Sequence, residues 1–391
     1  MTNSKQERSE SVVYLDNAAT TGMKPECVKD AVIRSVQNIS VNAGRGSYAA
    51  ARDAVAMIDE CRNSLLSIAK ITHGYHVYFS PSATIAFNQI ISSLPLDDYS
   101  TVYLSPFEHN ASVRPVCAVA KKVGAKVEKL PFDPSTWSFE KTQAEDMFIQ
   151  NTPDYVFISH ISNTTGYILP IKEITDLAHQ YGAKVIIDCA QSFGAVDADY
   201  ADIGADAYVF AGHKTLYATY GIAGFILADT WNLIPTTITG GTGSDSLNTD
   251  IPMPENGGFE PGSININAIA GLHAALSWII ETSVEEIQNR EKVLVAYFME
   301  RVGQISKVRL YVPPKEHSSI IALNVDGYES HDVGEILDDE FGICVRTGYQ
   351  CAPYVHDWLN TKEFSGIVRV SFSYFTTESD IDELLKALST L

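Results

Sequence analysis

The chain has 391 residues and a formal net charge of −20, with 45% hydrophobic and 19% charged residues. These values are typical of a globular protein that is long enough to form two or three domains. The acidic excess argues against nucleic acid and anionic membrane surfaces as partners, because their phosphates would be repelled. Anionic ligands must therefore be captured by local groups and not by the overall field.

Targeting, membrane and metal signals are weak in this sequence. Residues 1–11 are polar and lack an apolar core, which predicts a frayed tail and neither a signal peptide nor a membrane anchor. No uninterrupted apolar run approaches the roughly 18 residues that a membrane span needs. The six cysteines are scattered without metal-ligand spacing, which predicts reduced thiols and no metal site. We therefore expect a cytoplasmic protein.

Short apolar runs alternate with helix-length patterns in the first two thirds of the chain. Runs that are apolar on both faces, separated by such patterns, indicate a mostly parallel sheet covered on both sides. The helix-length patterns include residues 112–123 and 171–181. The apolar runs are 77–79, 101–104, 155–158, 185–187, 208–210 and 222–227. The sequence thus predicts an α/β domain.

The last third of the chain has a different pattern. Residues 229–265 contain many glycines and prolines and predict a loop, and a helical pattern from about 268 to 304 predicts a bridge between two domains. A second, smaller unit follows. Its predicted strands are 320–323 and 367–372, and its predicted helices are 331–340 and 379–388.

Two polar residues at strand ends carry the strongest chemical signal. Asp188 ends the apolar run 185–187, and Lys214 follows the run 208–210 beside His213. A pyridoxal phosphate enzyme needs a lysine amine that forms a Schiff base and a carboxylate that keeps the pyridine nitrogen protonated. Taken singly, a lysine at a strand exit is an ordinary solvated residue. The pairing favours the pyridoxal interpretation.

Other strand exits carry polar groups that suit the same cofactor. Residues 80–84 precede a helical pattern and offer backbone amides and hydroxyls to a phosphate, although an ordinary helix cap has the same composition. His109, Asn163 and Gln191 follow other apolar runs. Each of them is, by itself, more often a cap or a loop residue. In parallel sheets, however, ligands bind beyond the carboxyl ends of the strands, where all these residues are expected.

This set of residues, from Thr84 and His109 to the His213–Lys214 pair, resembles the class V aminotransferase family of fold type I pyridoxal enzymes. The nearest similarity is to its cysteine desulfurase and selenocysteine lyase branch, and it extends from residues 14–21 to 368–371. The resemblance implies a large domain over residues 17–283 with a mostly parallel seven-stranded sheet. It also implies a smaller α+β domain formed by residues 1–16 and 284–391.

The resemblance also implies a role for each matching residue. Lys214 is expected to be the Schiff-base lysine, Asp188 the partner of the pyridine nitrogen, and His109 the imidazole that stacks on the ring. Gln191 and Asn163 are expected beside the phenolic oxygen. The groups expected to bind the phosphate are the Ala83 amide, Thr84 and His213, with Ser263 reaching the phosphate of a neighbouring subunit. A homodimer with shared active sites is thereby implied.

One position departs from the family pattern around this lysine. The family commonly has a serine or threonine two residues before the histidine, and this chain has Ala211. One phosphate hydrogen bond is therefore expected to be lost, or replaced by Ser82 or Thr242.

Cys351 decides which reaction the cofactor would serve. A small buried hydrophobe is the usual role of a cysteine, but a loop cysteine near Arg346 is also a candidate thiolate. The loop resembles the group II desulfurase motif, which implies that Cys351 is the sulfur acceptor and that Arg369 binds the substrate carboxylate with help from Arg346. Tyr349 and Gln350 replace the histidines that are frequent there, so a histidine for proton transfer is missing.

The expected function is therefore that of a pyridoxal 5'-phosphate-dependent cysteine desulfurase. L-Cysteine would become L-alanine, with the sulfur transferred to Cys351 as a persulfide. The pattern is compatible with a sulfur-acceptor protein as a further partner. Two alternatives remain open: a lyase, transaminase or epimerase that acts on another amino acid, including selenocysteine, and a cofactor-binding scaffold without turnover.

Overall fold

The computed structural model describes residues 12–38, 40–43, 46–235, 238–242, 247, 249–250, 258–314 and 317–391. The predicted frayed tail, residues 1–11, lies outside this part. The strands are β1 (Val13–Tyr14), β2 (Tyr75–Ser80), β3 (Thr101–Leu104), β4 (Lys126–Lys129), β5 (Tyr155–Ser159), β6 (Lys184–Asp188), β7 (Ala207–Ala211), β8 (Ala223–Ala228), β9 (Val308–Leu310), β10 (Ile320–Val325), β11 (Ile343–Cys344), β12 (Arg346–Gly348) and β13 (Ile367–Ser371).

The helices alternate with these strands in the first two thirds of the described chain. They are α1 (Glu26–Gln37), α2 (Ala49–Ile68), α3 (Ala83–Ser92), α4 (Asn110–Val123), α5 (Lys141–Gln150), α6 (Ile171–Gln180), α7 (Tyr200–Ile203), α8 (Ile266–Thr282), α9 (Val284–Val302), α10 (Ser330–Phe341), α11 (Val355–Trp358) and α12 (Glu378–Thr390). Among the described residues, none of these helices combines the length and apolar character of a membrane span.

The large sheet has the strand order β2-β8-β7-β6-β5-β3-β4. All neighbouring pairs are parallel except those of β8, which runs against both β2 and β7. The smaller sheet is antiparallel, with the order β12-β13-β10-β9, and β1 pairs with β11 beside it. The predicted architecture, a mostly parallel seven-stranded sheet plus a smaller α+β unit, is confirmed.

Successive side chains of the inner strands lie in two different apolar clusters, one on each face of the large sheet. Val185 and Ile187 belong to one apolar cluster, whereas Ile186 between them belongs to another. Successive side chains of a strand point to opposite faces, so each inner strand must be apolar throughout. The edge strand β4 escaped prediction because its sequence, Lys126–Lys129, is mostly charged, as suits an exposed edge.

The predicted helical stretch over residues 268–304 is interrupted once. The structure has two helices there, α8 and α9, and the chain breaks between them at Ser283, whose φ is +71°. The Ser283 side chain accepts a hydrogen bond from the Glu286 amide at 3.1 Å and so caps the second helix. The domain boundaries at residues 16/17 and 283/284 stay a prediction.

The two sheets approach each other closely at Gly166. Its φ is +73°, and an added Cβ would collide with the carbonyl oxygen of Ile320 at the start of β10. The turn at Gly166 thus packs directly against the start of β10, with no room for a side chain.

We predict that Gly166→Ala lowers the free energy of unfolding by about 2–4 kcal/mol, since left-handed strain and overpacking combine. Gly182→Ala is the matched control, because Gly182 has a similar φ of +81° and open space around its Cβ position. The control should lose only about 1 kcal/mol. Urea denaturation measures both. Equal losses would show that the Ile320 contact has no effect.

Candidate active site

A cavity of about 350 Å³ lies beyond the carboxyl ends of the parallel strands. Its volume is that of a small-molecule site. The structure brings together all but one of the predicted site residues on its wall. They are Ala83, Thr84, His109, Asn163, Asp188, Gln191, His213, Lys214, Arg346, Cys351 and Arg369. The roles of these residues stay predictions.

Ser263 is the predicted site residue that does not line the cavity. It is exposed, and its hydroxyl accepts a hydrogen bond from the side-chain Nδ2 of Asn42 at 3.2 Å. Its expected role toward a neighbouring subunit is not excluded by this position and stays a prediction.

Lys214 and Asp188 face the same cavity from neighbouring strands. Burial lowers the pKa of Lys214 to about 8, against the opposing effect of the Asp188 carboxyl group. Burial also raises the pKa of Asp188, although the Ala190 amide donates a hydrogen bond to it at 2.9 Å. The site therefore holds an amine that loses its proton near neutral pH beside a buried carboxyl group.

The segment that carries Lys214 is fixed by residues that follow β1. The carbonyl oxygen of His213 accepts hydrogen bonds from the Thr20 hydroxyl at 2.9 Å, the Thr21 amide at 3.2 Å and the Lys24 amine at 3.1 Å. These three donors lie in or next to the opening motif that carried the family resemblance. The motif thus holds the lysine backbone in place.

One end of the cavity is suited to an anion. The first turn of α3 lines the cavity at Ala83 and Thr84, and Ser82 caps that helix by accepting a hydrogen bond from the Ile85 amide at 3.3 Å. Such a helix start attracts phosphate groups. His213 lies nearby with its buried Nδ1 unpartnered among the described residues.

Two further residues shape this end. Tyr220, which the sequence analysis did not single out, lines the cavity and stacks on His213 with a centroid distance of 4.5 Å. Burial lowers the pKa of His213 to about 4, so its imidazole is neutral at pH 7. Of the two residues expected to replace the hydroxyl missing at Ala211, Ser82 lines the cavity and Thr242 does not.

His109 is the N-cap of α4. Its Nδ1 accepts a hydrogen bond from the Ala111 amide at 3.0 Å, which assigns the ring proton to Nε2. Burial lowers the pKa of His109 to about 3, and the Lys214 and Arg369 charges act in the same direction. His109 thus presents a neutral imidazole to the cavity.

Glu108 is a second buried carboxyl group behind the cavity wall. Its oxygens accept hydrogen bonds from the Ser105 hydroxyl at 2.6 Å and from the Ser159 hydroxyl at 3.0 Å. Burial raises the pKa of Glu108 to about 8, and Asp188 acts in the same direction. Ser159 itself lines the cavity and lies opposite Asp188 in the sheet register. Glu108 therefore fixes part of the wall beside Asp188.

Another part of the cavity wall carries two arginines and is suited to a carboxylate. Arg369 is buried on β13, and Arg346 lies opposite it on β12. One guanidinium nitrogen of Arg369 donates to Asp16 at 2.7 Å and the other donates to the Asn163 carbonyl at 2.9 Å. Its Nε is buried without a partner among the described residues. Arg369 itself lines the cavity, so its guanidinium places a positive charge on the wall.

Asp16 was missed as a site residue. The sequence showed it only as part of the opening motif, and its partner Arg369 is 353 positions away. The sequence nevertheless indicated that Arg369 has an acidic partner, because an arginine in an apolar strand needs a buried counter-charge.

Cys351 lies in a tight turn closed by a hydrogen bond from the Ala352 amide to the Tyr349 carbonyl at 3.0 Å. The two central residues, Gln350 and Cys351, have φ values of +51° and +55°. Side chains other than glycine at such angles cost about 1–3 kcal/mol each, and they persist where the surroundings hold them. Cys351 is exposed and also lines the cavity. The turn therefore presents a thiol to the space that Lys214 faces.

We predict that Asp16→Asn lowers the free energy of unfolding by about 3 kcal/mol or more, because it leaves the Arg369 charge buried and unpaired. Asp326→Asn is the matched control, since Asp326 pairs with Arg309 where both side chains are largely exposed. The control should lose less than about 1 kcal/mol. Urea denaturation at pH 7 compares the two. Similar losses would contradict a structural role for the buried pair.

Comparison with known proteins is consistent with this geometry. The family described as Aminotransferase class-V matches residues 13–384. A probable cysteine desulfurase from Vibrio cholerae serotype O1 is 31% identical over 96% of this chain and 93% of that protein. A cysteine desulfurase from Haloferax volcanii is 28% identical over 96% of this chain and 88% of that protein. The apo structure of cysteine desulfurase from Thermococcus onnurineus NA1 superimposes with a TM-score of 0.88 at 25% identity, covering 97% of this chain and 94% of the other. The chain therefore belongs to the class-V aminotransferase family.

Proposed function

We propose that this protein is a pyridoxal 5'-phosphate-dependent cysteine desulfurase that converts L-cysteine to L-alanine and transfers the sulfur to Cys351 as a persulfide. The observation that carries the proposal is the position of Cys351 on the wall of the cavity that also holds Lys214 and Arg369. The names of the relatives from Vibrio cholerae and Haloferax volcanii support the same activity.

The cavity fits the cofactor group by group. Asp188 would hold the pyridine nitrogen, Lys214 would hold the aldehyde carbon, and the α3 amides with His213 would hold the phosphate. The unpartnered Nδ1 of His213 and Oδ1 of Asn163 are buried polar atoms that a polar ligand would satisfy. When bound, the cofactor draws electron density from the substrate's α-carbon.

The remaining groups suit an amino-acid substrate. The free Nε–H of Arg369 would bind the substrate carboxylate, and Arg346 would add positive charge at the same end. The Cys351 thiolate would attack the substrate sulfur and form an S–S bond. The electron pair of the broken C–S bond stays with the carbon, which takes a proton, so that the products are L-alanine and a persulfide on Cys351. Lys214, whose pKa is lowered to about 8, is suited to moving protons near the α-carbon.

We also propose the partners that this function implies. A homodimer in which Ser263 reaches the neighbouring phosphate would use the exposed position of that serine. A sulfur-acceptor protein would meet the persulfide at Cys351, which is exposed. A cytoplasmic location stays a prediction.

We predict that Cys351→Ala lowers sulfur release from L-cysteine by about 100-fold or more, because the nucleophile is lost. Cys27→Ala is the matched control, since Cys27 is also exposed but does not line the cavity. The measurement follows alanine and protein-bound persulfide together in the cofactor-loaded enzyme. Sulfur release by Cys351→Ala at the parent rate would contradict a role for this thiol. Turnover of other amino acids without persulfide would favour a lyase or transaminase.

We predict that pyridoxal 5'-phosphate attaches covalently to Lys214 and that the attachment rate rises with pH through about 8. The lowered pKa means that the reactive, unprotonated amine increases about tenfold between pH 7 and pH 9. Borohydride reduction followed by peptide mapping locates the attached cofactor.

Lys172→Ala is the control for this experiment, because Lys172 pairs with Asp176 on α6 and lies outside the cavity wall. Lys172→Ala should keep the attachment, and Lys214→Ala should lose it. Attachment at another lysine, or a rate independent of pH, would contradict the assignment.

A further inference from the structure

The turn that carries Cys351 is held through three successive carbonyl groups. The carbonyl of Tyr349 accepts from His356 Nε2 at 2.8 Å, and that of Gln350 accepts from Asn163 Nδ2 at 2.8 Å. The carbonyl of Cys351 accepts from the Asn110 amide at the start of α4 at 2.7 Å. Each donor comes from a different element. The backbone of the turn is thus fixed from three directions.

His356 bonds to the carbonyl group that also closes the turn. The Tyr349 carbonyl that it binds is the same atom that closes the turn by accepting from the Ala352 amide. The His356 ring is buried, and its Nδ1 lies 2.8 Å from the Thr361 hydroxyl. The two contacts assign the proton to Nε2, with Nδ1 accepting from Thr361. His356 therefore presents a fixed donor to the closing carbonyl.

The helix that bears His356 is itself anchored in the large domain. Val355 is buried in the main apolar cluster, and the Trp358 ring packs against Trp137 and Phe107 at centroid distances of 4.7 Å and 4.9 Å. Phe107 stands two residues before His109 in the chain. The apolar residues that hold the His356 helix therefore also pack beside the segment that carries His109.

This support matters because the turn adopts an unfavourable conformation. Gln350 and Cys351 both have positive φ, which glycine and asparagine tolerate better than glutamine and cysteine do. Without the hydrogen bonds to its carbonyl groups, the turn would lower its free energy by relaxing toward negative φ. The Cys351 side chain would then change direction. The bonds to the carbonyls oppose that relaxation.

We propose that His356 is a positioning residue for Cys351, which it holds toward the substrate sulfur by bonding the carbonyl that closes the turn. His356 does not line the cavity, so it acts through the backbone and not on the reacting atoms. The inference rests on the proposed function for its kinetic part only, because the state of the turn can be measured without turnover.

The test compares His356→Leu, which removes the donor, with His356→Gln, which keeps an N–H near the Nε2 position, in the cofactor-loaded enzyme. With L-cysteine, we expect His356→Leu to lower kcat about tenfold while KM changes less than about threefold, because the thiol is misplaced and the Arg369 site is intact. His356→Gln should recover at least about a third of the parent kcat.

A second measurement reports the turn itself. Hydrogen exchange should accelerate about tenfold at the Ala352 and Asn110 amides in His356→Leu, since both amides bond to carbonyls of the turn. His331→Leu is the matched control, because His331 lies on the exposed face of α10 and pairs with Glu335 in the same helix. The control should match the parent enzyme in both measurements.

Several results would overturn the proposal. Unchanged exchange at Ala352 and Asn110, acceleration spread evenly over the whole chain, or equal defects in His356→Leu and His356→Gln would each do so. If His356→Leu does not fold, His356→Asn replaces it, since an asparagine is too short to reach the Tyr349 carbonyl. A parent enzyme that is inactive on L-cysteine would refute the proposed function, and the exchange data would still decide the role of His356.

Discussion

The ion pair between Arg369 and Asp16 is the contact on which the arginine side of the cavity depends. A guanidinium buried on an inner strand of the small sheet must be paired, and the carboxylate comes from the segment that follows β1. The Asn163 carbonyl binds the same guanidinium from the large sheet side. One charged group thereby joins three distant parts of the chain, and this part of the cavity wall forms only where they meet.

The positions of Lys214 and Asp188 follow a simpler rule, which the sequence pattern already indicated. Lys214 and Asp188 stand at the ends of apolar strands, and parallel strands bring their carboxyl ends to one edge of a sheet. Helix starts such as Ala83 add amides at the same edge. Local pattern and sheet geometry together were therefore enough to locate these groups, because each one sits at a boundary that hydrophobic periodicity marks.

Other features were beyond a single sequence for identifiable reasons. The helical pattern continues across Ser283, so periodicity does not show a break made by one residue at positive φ. The strand β4 is charged because it lies at an edge, and charge conceals a strand. The partnership of Asp16 with Arg369 and the left-handed turn at Cys351 both result from tertiary contacts, which override local preference.

The three donors on the carbonyl of His213 have a consequence for how Lys214 moves. A carbonyl bound by Thr20, Thr21 and Lys24 leaves the adjoining backbone little rotation. The amine must then travel only by turning the flexible four-carbon stem of its own side chain. The reach of the amine is therefore limited to the length of its own side chain, which keeps it at the cavity that Lys214 lines.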